Sequence, residues 1–163
     1  MTEAGVPATG PKDDLRAMRI LCFALMVGVV VFAIIVAVLN QGNALPTKEM
    51  GKQLNDILPY VVAGIAVLCY LVARSSYSKK VAVIKNLQTS LGNKLNQYRT
   101  VLITYMAPCE GAALFSVMGL FLTGNYYFLI ITSVMLAAMY SKMPSKERLT
   151  KELDLDWKEQ QEL

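Results

Sequence analysis

The sequence feature that most constrains the fold is one uninterrupted apolar run. From Ile20 to Leu39 the chain has twenty consecutive residues with no charged or strongly polar side chain. At about 1.5 Å rise per residue, such a helix matches a bilayer hydrocarbon core of about 30 Å. The alternative is a cleaved secretory signal, whose apolar region is about 7–15 residues long and ends at a small-x-small site. The following "VLNQGNALP" supplies no convincing site, so the run predicts a membrane-spanning helix.

Three further apolar runs predict three more spans. They extend from Ile57 to Ala73, from Val101 to Leu122 and from Tyr126 to about Ser141. Pro59 lies near the start of the second span, where a missing N–H costs little, and Thr47 can cap a short helix through Leu58. Only Thr123–Asn125 joins the last two spans, which must form an antiparallel hairpin. We predict an all-α integral membrane bundle of four transmembrane helices, in two antiparallel hairpins, with spans at about 20–39, 57–74, 101–122 and 126–141.

The composition agrees with this class and limits the chemistry. The chain is 55% hydrophobic and 17% charged, whereas soluble domains are about 45–50% apolar and about 25% charged. Histidine is absent, which removes the commonest general base and transition-metal ligand. Cys22, Cys69 and Cys109 lie in apolar runs without paired spacing, so they predict buried thiols rather than a metal site. We predict no enzymatic activity, no metal and no cofactor.

Basic residues predict the orientation. Of the 16 Lys and Arg residues, all but Lys48 and Lys52 lie in the N-terminal flank, the loop between the second and third spans, or the C-terminal tail. Because cytoplasmic loops carry the positive excess, both termini are predicted to be cytoplasmic. Six of the eight tyrosines lie at segment ends, as headgroup anchors do: Tyr60, Tyr77, Tyr98, Tyr126, Tyr127 and Tyr140.

The segment before the first span and the loop between the second and third spans are both polar. Residues 1–18 predict a disordered cytoplasmic N-terminus, rich in Gly and Pro. The loop at 75–100 is predicted to be helical, because apolar residues recur every three or four positions: Val81, Ile84, Leu87, Leu91, Leu95 and Tyr98. Gly92 and Asn93 are the expected turn of a helical hairpin. This hairpin either projects into the cytoplasm, which we favour, or lies on the membrane with its lysines on anionic headgroups.

Residues 143–163 predict an amphipathic cytoplasmic tail. Ser145 can cap a helix, and Leu149, Leu153 and Trp157 repeat every fourth residue. Its charges are of both signs, which makes it a poor polybasic lipid clamp. The pattern favours packing on the 75–100 loop or on a partner, and a solvated, frayed tail is the alternative.

Glu110 is the one carboxylate inside a predicted span. It lies in "APCEGAALFS", near the midpoint of 101–122, where an ionised side chain costs about 2.5–3.5 kcal/mol or more. No Lys or Arg lies in any of the four apolar runs, so we expect Glu110 to be protonated. Pro108 leaves the carbonyl of Thr104 unpaired and predicts a kink. The expected acceptors of the Glu110 proton are a backbone carbonyl one turn back and four side chains: Tyr105, Tyr70, Ser116 and Ser133.

Glu110, Pro108, Thr104 and Tyr105 therefore form the candidate site, with two interpretations. Glu110 is either a neutral packing element between helices, whose hydrogen bond is worth about 0.6 kcal/mol, or a proton or cation site, since intramembrane ionisable residues are commonly functional. The other spans hold no carboxylate, which favours packing.

A stripe of small residues on the third span predicts close helix contact. At 100° per residue one face carries Cys109, Ala112, Ser116, Gly119 and Thr123. Glu110 points away from this face. The third helix is thus expected to be central in the bundle or to meet a second subunit.

The segment "YRTVLITYMAPCEGAALFSVMGLFLTGNYYFLII" with the following "MPSKERLTKELDL" resembles uncharacterised small four-helix inner-membrane proteins of the Bacteroidota, in which the E-G-A-A-L-F motif and the L-T-G-N turn recur. This resemblance covers Tyr98 to Leu155 and implies a bacterial inner-membrane location. A remoter similarity is to the c subunits of rotary ATP synthases, hairpins with a carboxylate midway along the second helix, where Glu110 lies here. The glycine-repeat helix and the short Arg-Gln-Pro-like loop of those subunits are missing.

The sequence as a whole predicts a small multi-pass inner-membrane protein that is a structural or interaction component, or an accessory subunit. The alternative function is a proton- or cation-translocating carrier or channel component that uses Glu110. The implied partners are the lipid bilayer and a second copy of the chain or another membrane protein, and not nucleic acid.

Overall fold

The computed structural model describes residues 11–42, 51–86, 89–155 and 157, without the side chains of Pro11 and residues 51–55. This described part is helical and contains no β-strand. Its five helices are α1 (Pro11–Gln41), α2 (Gly51–Lys85), α3 (Leu91–Thr123), α4 (Tyr127–Ser141) and α5 (Lys146–Leu153). The predicted all-α class is confirmed.

Three of these helices are long and apolar enough to cross a membrane: α1, α2 and α3. Helix α4 has 15 residues and qualifies only together with α5, from which it is bent by 72°. The described chain therefore has three candidate spans, or four if the bent pair is one span. Large apolar side chains lie on the outside, including Phe23 and Leu68, which are 59% and 64% exposed. Water does not favour such a surface, whereas a bilayer solvates it.

Helix α3 lies at the centre of the arrangement. It packs against α1, α2 and α4. In its most apolar window 50% of the residues are buried, compared with 22% in α1 and in α2. The outer helices therefore present most of the exposed apolar surface, and α3 provides the surface on which they assemble.

Hydrogen bonds between distant segments fix which helix ends meet. Arg19 Nε donates to the carbonyl of Pro144 at 2.8 Å, which joins the first third of α1 to the segment after α4. Asn40 Nδ2 donates to the carbonyl of Gly124 at 3.0 Å, which joins the end of α1 to the α3–α4 turn. We call the end with the start of α1, the α2–α3 turn and the end of α4 the basic end, since most Lys and Arg residues lie there. The opposite end is the turn end.

The start of α1 corrects one prediction. Residues 11–18 are helical rather than disordered, and residues 1–10 lie outside the described part. Pro11 suits the first helical position, and Asp13 and Asp14 lie in the first turn, where carboxylates stabilise the helix dipole. Leu15 and Met18 are buried on the same face, so packing extends the helix beyond the membrane run.

Helix α2 and its connection to α3 correct two more predictions. The loop is helical as the pattern predicts, but its turn lies between Lys85 and Leu91, and Gly92 and Asn93 are in the first turn of α3. Helix α2 begins at Gly51, so Pro59 lies in the helix interior and not in its first turn. The helix through Leu58 is therefore part of α2, and its expected cap Thr47 lies outside the described residues.

Helices α3 and α4 approach closely through the small-residue stripe. Ser116 Oγ donates to the carbonyl of Phe128 at 2.7 Å. The ring of Phe128 covers Gly119, where an added Cβ would lie 2.6 Å from Phe128 Cε1. Gly124 ends α3 with a φ of 69° and donates its N–H to the carbonyl of Leu120. The hairpin therefore depends on the missing Cβ of Gly119 and on the left-handed backbone of Gly124.

Gly119→Ala is expected to destabilise the bundle by about 1–3 kcal/mol, because the new methyl group overlaps the fully buried ring of Phe128. Gly111→Ala is the matched control, since an added Cβ there meets no atom within 4 Å. Both variants are compared by SDS or thermal unfolding in detergent. Equal stabilities would contradict the close contact of Gly119 with Phe128.

Candidate functional site

Glu110 lies near the middle of α3 and is half-buried. In the described part of the chain it forms no hydrogen bond and no ion pair. Pro108, one helical turn from Thr104, is also half-buried, and α3 continues through it as one helix. The structure therefore leaves the Glu110 carboxyl without a partner in the described part of its own chain.

The side chains expected to meet Glu110 are bonded elsewhere. Tyr105 Oη donates to the carbonyl of Ala138 at 3.2 Å, which ties α3 to α4. Of the other three, Ser116 Oγ donates to Phe128 O, Ser133 Oγ donates to Leu129 O, and Tyr70 Oη accepts from Arg74 Nη1. Thr104, which belongs to the candidate site, donates its hydroxyl to Thr100 O. The expected site residues are thus neighbours along α3 and do not converge on the carboxyl.

The stripe of small residues does come together with another helix. Cys109, Ala112, Ser116 and Gly119 are buried, and Thr123 is half-buried with its hydroxyl on the carbonyl of Gly119 at 2.8 Å. This face meets α4, as the Ser116 and Gly119 contacts with Phe128 demonstrate. The stripe therefore packs against α4 of the same chain, and Glu110 is not part of it.

The best-organised polar cluster is a different one, at the basic end. Tyr77 of α2 and Tyr98 of α3 are 4% and 0% exposed, and their hydroxyl oxygens are 2.9 Å apart. Tyr98 Oη donates to Glu152 Oε2 of α5 at 3.0 Å, and Tyr77 Oη donates to the same oxygen. One carboxylate oxygen thus satisfies two buried phenols from two different helices.

Two cations complete this cluster. Arg148 Nε lies 3.4 Å from Glu152 Oε1, and Lys142 Nζ lies 3.9 Å from it. Lys142 Nζ is also 4.4 Å from the ring centroid of Tyr77, a cation–π contact. We name Tyr77, Tyr98, Lys142, Arg148 and Glu152 the tail latch, because together they hold the C-terminal segment on α2 and α3.

Apolar contacts support the tail latch. Leu149, Leu153 and Leu155 are buried, and the Ser145 hydroxyl accepts the Arg148 N–H at 3.2 Å, so the predicted cap is observed. Asp154 ends α5 in a left-handed conformation with φ 50° and pairs with Lys85 at 3.2 Å. The predicted stripe accordingly stops at Leu153. Trp157, its expected third member, is 73% exposed because α5 has already ended.

Sequence reasoning missed this cluster because it assigned Tyr77 and Tyr98 to the headgroup zone. A signal was present in their position. Both tyrosines lie on apolar helical faces in the basic segment between the second and third apolar runs. A buried phenol usually needs a hydrogen-bond partner. The identity of that partner, more than fifty residues away in sequence from Tyr98, is not a local property of the sequence.

Few kinds of chemistry are open to the groups around Glu110 and in the tail latch. In the described residues no group of three His, Cys, Asp or Glu side chains is close enough to hold a metal ion. Cys22 and Cys109 are buried and Cys69 is half-buried, all as free thiols. A groove of about 480 Å³ between α2 and α4 is lined by apolar side chains and by Tyr70 and Tyr127, without a charged group. The tail latch can hold a segment in place, and Glu110 presents a single carboxyl that can form hydrogen bonds.

The chain matches no known protein family, no curated protein and no solved structure. The fold and these two places are therefore the basis for any functional proposal.

Glu152→Ala is expected to release α5, because it leaves the buried hydroxyls of Tyr77 and Tyr98 without their carboxylate acceptor. An unsatisfied buried polar group costs about 1–3 kcal/mol, so the opening equilibrium should rise by roughly tenfold or more. The measurement is the rate of limited trypsin cleavage after Arg148 and Lys151 in detergent. Glu147→Ala, on the exposed face of the same helix, is the control and should leave the rate nearly unchanged. Equal rates for the two variants would contradict the latch.

Proposed function

We propose that this protein is a small multi-pass component of a bacterial inner membrane, structural or accessory in role, which contacts another membrane-embedded chain through Glu110. The observation that supports this most is the position of Glu110. It is half-buried in the middle of the central helix α3 and has no hydrogen bond or ion pair within the described chain. Its expected partners in the same chain are engaged elsewhere.

The energetics favour an external partner for this carboxyl. An ionised side chain at the centre of a bilayer costs about 2.5–3.5 kcal/mol on insertion scales. A protonated carboxyl avoids this cost but still has one donor and acceptor oxygens to satisfy. A second membrane chain can supply these hydrogen bonds, and polar side chains commonly connect helices in this way. We infer a second copy of this chain or another membrane protein as the partner.

The proposal includes four crossings with both termini in the cytoplasm. Helix α4, with its 15 residues, is about 22 Å long at 1.5 Å per residue. Tyr126, Tyr127 and Lys142 at its ends can anchor such a short span, and local thinning of the bilayer can accommodate it. The concentration of Lys and Arg at the basic end supports a cytoplasmic location for that end.

The second candidate function is proton or cation coupling through Glu110. The same unpaired carboxyl supports it, since a group without internal partners is available to a proton or ion. Against it, the α2–α4 groove has no charged lining group, and the sequence places no other carboxylate in the predicted spans. We therefore rank coupling below the interaction role.

Substitution of Glu110 separates the two candidates. Glu110→Leu should abolish association with the partner chain, and Glu110→Gln should retain it, because an amide keeps the hydrogen bonds but cannot titrate. Association is measured by blue-native electrophoresis and by energy transfer between labelled copies in nanodiscs. Ser133→Ala is the control, because within the described residues the Ser133 hydroxyl bonds only to its own helix. Unchanged association in Glu110→Leu would overturn the interaction role. Carbodiimide labelling of Glu110 that falls with rising pH or added cation, absent in Glu110→Gln, would instead favour coupling.

Single-cysteine labelling tests the four crossings. Tyr126→Cys lies at the turn end and Lys146→Cys at the basic end, and both original side chains are exposed. If α4 crosses the membrane, a membrane-impermeant maleimide applied to intact cells should label only Tyr126→Cys. Labelling of both positions, or of neither before permeabilisation, would place them on one side and contradict a fourth crossing. Labelling of Lys146→Cys alone would reverse the proposed orientation.

A further inference from the structure

A basic groove lies between α2 and α3, on the outside of the bundle. It has a volume of about 380 Å³ and is lined by Lys79, Lys80, Val83, Ile84, Gln97, Thr100 and Val101. We name it the α2–α3 groove. Its lining combines two ammonium groups with apolar side chains, and it contains no carboxylate.

The two lysines differ from other cations at the basic end. Lys85 pairs with Asp154, and Lys142 and Arg148 pair with Glu152. Within the described residues neither Lys79 nor Lys80 has an ion pair, and Lys80 Nζ has only the Thr104 hydroxyl at 3.5 Å. The groove is therefore a site of uncompensated positive charge.

The groove lies at the junction between polar and apolar parts of α2 and α3. Val101 begins the apolar part of α3, and Thr104 lies one turn further into it. Side chains of a helix lean toward its N-terminus, which in α2 is the direction of its apolar segment. The contact of Lys80 with Thr104 agrees with this direction. The ammonium groups are thus placed where the headgroups of a bilayer would lie.

Exposed apolar side chains continue from the groove along α2. Leu68 and Val72 are 64% and 54% exposed and precede Lys79 by eleven and seven residues, which puts the three on one helical face. A molecule with an anionic head at the lysines can therefore lay an acyl chain along this face.

We propose that the α2–α3 groove binds the phosphate headgroup of an anionic diacyl phospholipid from the leaflet at the basic end. Lys79 and Lys80 supply the charge, the Gln97 amide supplies a hydrogen-bond donor, and the exposed face of α2 takes an acyl chain. Basic pockets between transmembrane helices on the cytoplasmic side bind acidic lipid headgroups by this combination. A soluble anion or a protein segment would use the charge but not the adjoining lipid-facing surface. The proposal does not depend on Glu110.

Native mass spectrometry of the full chain, transferred from detergent with added phosphatidylglycerol or phosphatidylcholine, tests this proposal. The protein should retain one phosphatidylglycerol in preference to phosphatidylcholine. The double variant Lys79→Gln/Lys80→Gln should lose that preference by roughly tenfold to thirtyfold, as expected for two Lys at a headgroup. Lys79→Arg/Lys80→Arg should keep it, which also controls for folding.

Lys146→Gln/Lys151→Gln is the matched control, because it removes the same charge from the same end, outside the groove. An equal loss of lipid in this control would reduce the effect to general attraction and overturn the proposal. Displacement of phosphatidylglycerol by equimolar glycerol phosphate would assign the groove to a soluble anion and overturn it as well. Retention of the lipid by Lys79→Gln/Lys80→Gln would exclude these lysines from the site.

Discussion

A hydrocarbon core offers no water to backbone amides and carbonyls, so a segment that crosses it must satisfy its backbone hydrogen bonds within its own helix. This constraint accounts for the long helices of the described chain. It also removes the hydrophobic effect as the force that brings the helices together, since lipid tails solvate leucine and valine as well as a protein interior does. Close packing and buried polar contacts have to do that work. The contact of Gly119 with Phe128 and the hydrogen bond from Ser116 to the Phe128 carbonyl are of this kind.

Glu110 on α3 and Glu152 on α5 illustrate how position decides the state of a polar group. Glu152 lies at the basic end and has four partners, two phenols and two cations. Glu110 lies where the protein has placed no partner in the described chain. The first carboxylate explains why a tail of mixed charge folds back on the bundle. The second is the reason to look for a further chain or an ion.

The cations at the basic end have different contacts and therefore different roles. Arg19, through the carbonyl of Pro144, ties α1 to the segment that leads into α5. Lys142 and Arg148 hold Glu152, so they serve the folded chain. Lys79 and Lys80 serve no internal carboxylate in the described residues and lie next to the exposed apolar surface of α2. In the proposed lipid site, the charge of these two lysines would hold an acidic headgroup.

The sequence by itself determined the helical class, the apolar runs and the cap at Ser145, because these depend on the length of apolar stretches and on bonds within a few residues. It placed both the α2–α3 turn, at Gly92 and Asn93, and the start of α1 too late in the chain. The reason is that packing of Leu15 and Leu91 extends α1 and α3 past their local signals. Tertiary structure decided the partners: which helices surround α3, which carboxylate meets Tyr77 and Tyr98, and that Glu110 meets none of its expected neighbours. A side chain's partner depends on how each helix is rotated about its axis and on contacts between residues far apart in the chain, and periodicity along one segment fixes neither.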